Sequence, residues 1–200
     1  MQKKITKLLL LFLLNGCEAK QSPQPVAELI SHRGYNNNKL DGFVTAIQDG
    51  FSILETDIRL RNEEPVLLHD NIACSNCTTL VELLELAQDK GVVLFLEFKE
   101  FKAIEPSLKL ISQYSVDVVL TSFNSEHLKY INSLSNHSLG FITTEHFSLE
   151  YLPVLDYVII NRLHIDKCPA FIKCVAWGVY NKKQFNQVKY KVDYAIIDKY

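Results

Sequence analysis

The chain has 200 residues, 48% of them apolar, and a formal charge of −2. That is enough apolar material for one good core, and the length favours a single domain. Lys and Arg are scattered rather than gathered into a stripe, so nothing calls for a nucleic-acid partner, and any partner must be argued from a site.

The first residues read as an export signal. Lys3, Lys4 and Lys7 form a positive region, and Leu8 to Leu14 is an unbroken apolar run, far short of the roughly 20 residues a spanning helix needs. The run ends in Leu14-Asn15-Gly16-Cys17, which resembles the bacterial lipobox, with Asn15 an unusual choice inside it. Cleavage before Cys17 would free its thiol and amine for acylation, and two or more acyl chains anchor stably where one does not. The expected organisation is a signal peptide over 1–17, a polar tether over 18–27 and a folded domain over 28–200. The protein would be exported to the bacterial cell envelope and held to a membrane through lipid on Cys17. An ordinary cleaved signal or an uncleaved apolar leader is the plainer alternative.

From Leu29 onward, short apolar runs alternate with segments of helical period, the pattern of repeated βα units and a parallel sheet. The predicted strands are Leu29 to His32, Ile53 to Leu60, Val92 to Lys99, Val116 to Phe123, Leu139 to Thr143, Tyr157 to Asn161, Cys174 to Val179 and Tyr194 to Asp198. Helices are predicted over Leu40 to Asp49, Leu80 to Lys90, Glu105 to Ser115, Glu126 to Leu134 and Lys182 to Lys189. Ser125 is the expected N-cap of the fourth, and Gly91 stops the second. The connections near Phe147 to Pro153 and Cys168 to Lys173 have room for only a turn or two of helix. Pro65 to Asp70 is an extra extended segment, joined to the second strand by a hairpin-like turn at Arg61-Asn62-Glu63-Glu64, which lifts His69 above the mouth. Eight βα units in so short a chain predict an α/β fold, a compact TIM (β/α)8 barrel.

Cys74, Cys77, Cys168 and Cys174 allow three pairings, of which 74 with 77 and 168 with 174 are the simplest. A four-cysteine zinc site or a redox CxxC would also use them. An exported context favours structural disulfides or free thiols, and Cys74-Ser75-Asn76-Cys77 lies in a polar loop without a thioredoxin-like surround.

Glu55 and Asp57 lie two apart on a predicted strand, so both point to one face, which in a barrel is the interior. Converging carboxylates repel unless a proton or a cation neutralises them, and oxygen ligands at this spacing suit a hard divalent ion, Mg²⁺ or Ca²⁺. Glu97, at the end of the next barrel strand, supplies a third ligand. A purely structural arrangement would instead pair Glu55 with Arg33 or Lys99. His32 ends the first strand and His69 stands on the extra segment, and two imidazoles flanking a substrate divide the work of general base and general acid. Arg33 has the planar fork suited to a phosphodiester, and Lys99 shares the inward face of Glu97. Asp70 either orients an imidazole or holds the turn. His127, His137, His146 and His164 fall on predicted helices or loops away from these clusters and are expected to be surface residues without function.

In this order, His32-Arg33-Gly34, Glu55-Thr56-Asp57, His69-Asp70 and Glu97-Phe98-Lys99 resemble the signature positions of the glycerophosphodiester phosphodiesterase family. Thr121-Ser122-Phe123, Trp177 to Asn181 and Val192 to Asp198 are similar to its later strand ends, so the likeness runs from Leu29 to the C-terminus. The resemblance implies a TIM barrel with a divalent metal on Glu55, Asp57 and Glu97, His32 and His69 as the acid/base pair, and Arg33 and Lys99 on the phosphate. It implies attack by the neighbouring glycerol hydroxyl, a cyclic phosphate opened by water, and release of glycerol phosphate and an alcohol. The chain departs from the pattern in three places. Asn36-Asn37-Asn38-Lys39 stands where the family has Pro-Glu-Asn-Thr, keeping only Asn38. The capping insertion after the His-Asp step shrinks to Asn71 to Thr79, and Ala195 and Ile197 replace the usual Gly and Thr. A shallow, open mouth follows. The expected function is metal-dependent hydrolysis of a small glycerophosphodiester or related phosphodiester. The alternatives are a phospholipase-D-like or polymer-acting member of the superfamily, a non-catalytic phosphodiester-binding lipoprotein, and a thiol oxidoreductase resting on Cys74 and Cys77 alone.

Overall fold

A computed structural model describes residues 25–35, 37–145 and 154–198. Nine strands are found among them: β1 Glu28–His32, β2 Ile53–Arg61, β3 Glu64–Leu67, β4 Val93–Phe98, β5 Val118–Ser122, β6 Ser138–Thr143, β7 Tyr157–Asn161, β8 Lys173–Val179 and β9 Tyr194–Ile197. Eight of these run parallel in the order β1-β9-β8-β7-β6-β5-β4-β2, and pairing of β1 with β2, at Ser31 with Leu54 and His32 with Glu55, closes the ring. The fold is the compact TIM barrel the sequence predicts. β3 stands outside the ring, antiparallel to β2, and Asn62 (φ 49°) and Glu63 (φ 67°) form the turn between them.

Five α-helices are described: α1 Leu40–Gln48, α2 Leu80–Lys90, α3 Ile104–Ile111, α4 Ser125–Leu134 and α5 Lys182–Val188. Between β7 and β8 a 3-10 segment, Arg162–Lys167, takes the place of a helix. The predicted short connection at Phe147 to Pro153 lies outside the described residues, as do the leader, Cys17 and residues 18–24 of the tether. Among the described residues, no helix is long and apolar enough to cross a membrane.

The local signals are mostly where the sequence puts them. Thr79 caps α2 in a reciprocal box with Glu82, and Gly91 ends that helix at φ 64°. Most boundaries shift by a residue or two, and two helix ends differ for a traceable reason. Asn124, not Ser125, caps α4, because its side chain accepts a hydrogen bond from Glu126 N, and Ser125 is the first helical residue. The third helix begins at Ile104 after a 3-10 turn and stops at Ile111, short of the expected Ser115.

Alternation along the strands builds the interior in layers. Ile30, Ile53, Phe95, Val119, Ile159, Val175 and Ile196 fill the lower part of the barrel with apolar side chains. The next inward positions on the same strands are His32, Glu55, Glu97, Thr121, Trp177 and Asp198, and these line the mouth. A second core, including Leu54, Leu94, Leu96 and Leu120, packs the outward strand faces against the helices. One sequence period therefore supplies both an apolar floor and a charged upper layer.

Candidate active site at the barrel mouth

Each candidate side chain is delivered by a strand end or by the turn that follows it. Beyond His32 the backbone enters a left-handed turn at Arg33 (φ 50°), Gly34 (φ 58°) and Tyr35 (φ 63°). A Cβ on Gly34 would lie 2.6 Å from the Phe43 ring and 2.7 Å from its backbone nitrogen, so only glycine lets the turn pack against α1. The turn swings the Arg33 guanidinium back over the barrel, where its Nε stands 2.7 Å from Asp57 Oδ2.

Glu55, Asp57 and Glu97 are all buried, and each offers a ligand oxygen within 4.8 Å of the others. Asp57 is fully enclosed, with Lys99 Nζ 3.2 Å from its Oδ1 and the Asn38 side-chain amide donating to its Oδ2 at 3.3 Å. Asn38 is fixed in turn by accepting from Thr56 Oγ1 at 2.8 Å. Lys99 also donates to Glu97 Oε1 at 2.6 Å. The cations thus pair with Asp57 and Glu97, whereas the closest ionic neighbour of Glu55 is His32 Nε2 at 3.8 Å.

This crowding sets the protonation states. Burial and the charge of Asp57 push the Glu55 carboxyl up to about 8. Burial and the same neighbour also raise Glu97, with Lys99 opposing. Burial works against the charge of Asp57 too, but Arg33 and Lys99 outweigh it and hold that carboxyl below its usual range. Buried Glu55 Oε2 accepts no hydrogen bond. With a third carboxylate that two cations leave uncompensated and one of its oxygens lacking a donor, the three acids are a donor set that fits a hard divalent cation.

The two histidines differ in setting. His32, with 27% of its side chain exposed, is hydrogen-bonded through Nδ1 to Asp198 Oδ1 at 2.6 Å. Burial disfavours its charged form, but Asp198 and Glu55 prevail and raise its pKa, while the bond to His32 lowers that of Asp198. His69 is more open, at 41%, and its Nδ1 lies 2.7 Å from Asp70 Oδ1. Asp70 therefore orients an imidazole, one of the two roles left open above. His69 is carried by a braced loop. Arg59 Nε donates to His69 O at 2.9 Å, and Arg61 donates to Ile72 O at 3.2 Å and Asn71 Oδ1 at 3.0 Å. Glu100 sits between both arginines, 3.6 and 3.5 Å away, and accepts from Leu60 N at 2.6 Å.

All seven predicted metal, acid/base and phosphate residues except Asp57, which is sealed beneath, line one cavity of about 440 Å³. Its far wall is apolar, with Ile142, Ile159 and Ile196 below and Phe123, Trp177 and Tyr180 above. Trp177 donates from Nε1 to Thr143 O at 2.9 Å and meets Phe123 edge-on with centroids 6.3 Å apart.

Sequence reasoning assigned no role to Asp198, Arg59 or Glu100. The available signal for Asp198 was its phase, two beyond inward Ile196 on β9. His127 corrects an expectation: it is 8% exposed, its Nδ1 lies 3.1 Å from Ser122 Oγ, and Phe101 covers it, so it packs between α4 and the barrel. His137 and His164 are half-buried, and His146 lies outside the described residues. The cysteines form the two local disulfides, Cys74–Cys77 in the loop after β3 and Cys168–Cys174 at the start of β8. Neither a zinc cluster nor a dithiol is built from them.

No family model and no curated protein matches the sequence. Solved structures do match the fold. A phosphodiesterase of Oleispira antarctica, in complex with the product sn-glycerol-3-phosphate, superposes with a TM-score of 0.77 at 20% identity, over 86% of this chain and 93% of that one. The glycerophosphodiester phosphodiesterase of Thermotoga maritima matches with a TM-score of 0.73 at 18% identity, over 86% and 94%. That of Agrobacterium tumefaciens matches with a TM-score of 0.65 at 14% identity, over 86% and 96%. Nearly the whole of each of those chains is covered, and the chain has the fold of the glycerophosphodiester phosphodiesterases.

Proposed function

We propose that the protein is a phosphoric diester hydrolase that cleaves small glycerophosphodiesters to glycerol phosphate and an alcohol with the help of a divalent cation. The observation that carries this reading is the convergence of three buried carboxylates, two imidazoles and two cations at the mouth of a barrel with this fold, Asp57 alone among them not lining the cavity. Fold alone does not give function; the residues at the site do.

Glu55, Asp57 and Glu97 would hold the cation, Mg²⁺ or Ca²⁺. When bound, it supplies Lewis-acid polarisation of phosphate oxygens. Arg33 and Lys99 would then be relieved of part of their pairing with these carboxylates and turn to the phosphate, Arg33 through its planar fork. His32, raised in pKa and held by Asp198, and His69, oriented by Asp70, would divide proton removal from the attacking hydroxyl and proton delivery to the leaving oxygen. The apolar wall of Phe123, Trp177 and Tyr180 would exclude water on the side away from the charges. The open mouth keeps a larger phosphodiester, a lysophospholipid or a polymer end, as the second reading.

The N-terminal features support placement outside the cytoplasm, with Cys17 acylated and the expected tether of residues 18–27 after it. The two disulfides agree with an oxidising compartment. The test of function is release of glycerol phosphate from glycerophosphocholine and glycerophosphoethanolamine with EDTA, Mg²⁺ and Ca²⁺ compared. Release that EDTA stops and a cation restores is expected. Binding without turnover would leave a phosphodiester-binding lipoprotein instead.

A further inference from the structure

The charged and the apolar groups of the cavity occupy opposite halves of the barrel. β9, β1, β2 and β4, neighbours in the ring, and the β2–β3 hairpin beside them deliver every charged and imidazole group of the site. β5 to β8 complete the ring, and among the described residues no charged side chain from them lines the cavity. An irregularity in β8 makes this half aromatic. Ala176 pairs with Ala195 and Val179 with Ile197, so three steps on β8 match two on β9, and Gly178 (φ 78°) is the extra residue of a β-bulge. Ala176 and Val179 consequently both pack outward, in one cluster with Val188 of α5, while Trp177 and Tyr180 both line the cavity. In a regular strand, residues three apart face opposite sides. The bulge is pinned by Arg162, whose Nε donates to Gly178 O at 2.9 Å, and by Gln184, whose Oε1 accepts from Tyr180 N at 2.7 Å. Tyr180 stands 56% exposed at the rim.

We infer that Trp177 and Tyr180 hold a quaternary ammonium group on the leaving alcohol, so that the protein selects choline-type glycerophosphodiesters over those of primary amines. The inference rests on the proposed reaction and deepens it. In-line displacement sends the leaving oxygen away from the attacking hydroxyl. The glycerol arm, which carries that hydroxyl, belongs beside the histidines and carboxylates, and the alcohol arm therefore extends over β5 to β8. A primary ammonium there keeps N–H donors with no carboxylate to receive them, after losing the water that did. A trimethylammonium group has no N–H, turns methyl groups to the wall, and is attracted by the faces of Trp and Tyr rings. Trp177 brings no free donor to the wall, because its Nε1 is given to Thr143 O at 2.9 Å. Lys99 Nζ lies 5.7 Å over the Phe123 ring, so a phosphate-binding cation takes that ring, and Trp177 and Tyr180 are left for the head group.

The test compares glycerol phosphate release, at saturating cation, from glycerophosphocholine, glycerophosphoethanolamine and the neutral isostere in which carbon replaces the choline nitrogen. kcat/KM for the choline diester is expected to be about tenfold above that for either of the others. Tyr180→Leu should bring the choline-to-ethanolamine ratio to within about twofold of unity, and Tyr180→Phe, which keeps the ring, should retain the preference. A parental ratio near unity, a neutral isostere cleaved as well as the choline diester, or a ratio that Tyr180→Leu leaves unchanged overturns the inference and leaves the hydrolase standing. The chain contains one tryptophan, Trp177, so its emission reads occupancy of the wall without turnover. No release from any diester, with glycerophosphocholine shifting Trp177 emission at about tenfold lower concentration than glycerophosphoethanolamine, refutes the hydrolase and keeps the head-group site. Neither release nor preference overturns both.

Discussion

Glu55 is the residue on which the site turns. Its carboxyl is driven to about 8 by burial and by Asp57, so without a cation it holds a proton at neutral pH. Glu55→Gln keeps size and packing and is expected to abolish cation-dependent activity while the far-ultraviolet spectrum stays that of the parent. Full activity in this variant removes the carboxylate from the metal site. His32→Ala and His69→Ala are each expected to lower turnover by about 10² or more, the scale of a lost general acid or base, and a variant near the parental rate would exclude that histidine. Asp198 raises the pKa of His32 through their 2.6 Å hydrogen bond. In Asp198→Asn that support is lost, so the limb of the pH profile of kcat/KM that reports His32 should move to lower pH. An unmoved profile would assign Asp198 to structure alone.

At the scale of elements, the β2–β3 hairpin and the loop behind it hold His69, and Glu100 braces them from the end of β4. Glu100 contacts Arg59 and Arg61, whose side chains bond to backbone and side-chain oxygens from His69 to Ile72. Glu100→Gln weakens both ion pairs without touching substrate. Turnover is expected to fall roughly 10- to 100-fold through misplacement of His69, with metal-induced thermal stabilisation retained. A loss of that stabilisation would show a wider collapse of the mouth. The Cys74–Cys77 disulfide lies in the same loop, which also bonds to α1 through Lys39 Nζ to Asn76 O at 2.8 Å and Leu40 N to Thr78 Oγ1 at 3.2 Å. With those ties in place, alanine at both cysteines is expected to leave phosphodiesterase activity largely intact, and the appearance of thiol exchange as the main activity of the parent would revive the oxidoreductase reading.

For the whole molecule, the buried carboxylates link stability to pH and to cations. A carboxyl whose pKa is raised by folding gives stability that is complete below its ordinary value and fades as pH rises through the folded value. Glu55, at about 8, and Glu97, also raised, both act in this sense. The metal-free protein should therefore lose thermal stability as pH rises between about 4.5 and about 8, and a saturating divalent cation should restore roughly 5–10 °C at a hundredfold excess over its Kd. Glu55→Gln should flatten the metal-free slope, and an unchanged slope would show that Glu55 does not carry it. Much of this was legible in the sequence. Alternating apolar runs and helical periods determined the eight barrel strands and the five α-helices described between them. The two-residue spacing of Glu55 with Asp57 and of Glu97 with Lys99 determined that each pair shares an inward face, because side-chain direction in a strand has period two. Local caps and the neighbouring cysteines were readable for the same reason, since their partners lie a few residues away. Only the tertiary structure decided the rest. Asp198 meets His32 across 166 residues, Arg33 turns to Asp57 rather than Glu55, Glu100 joins two arginines of another strand, and His127 is buried by Phe101. Such partners are set by barrel closure and strand stagger, which bring distant positions into one layer, and no local period records which of them will touch.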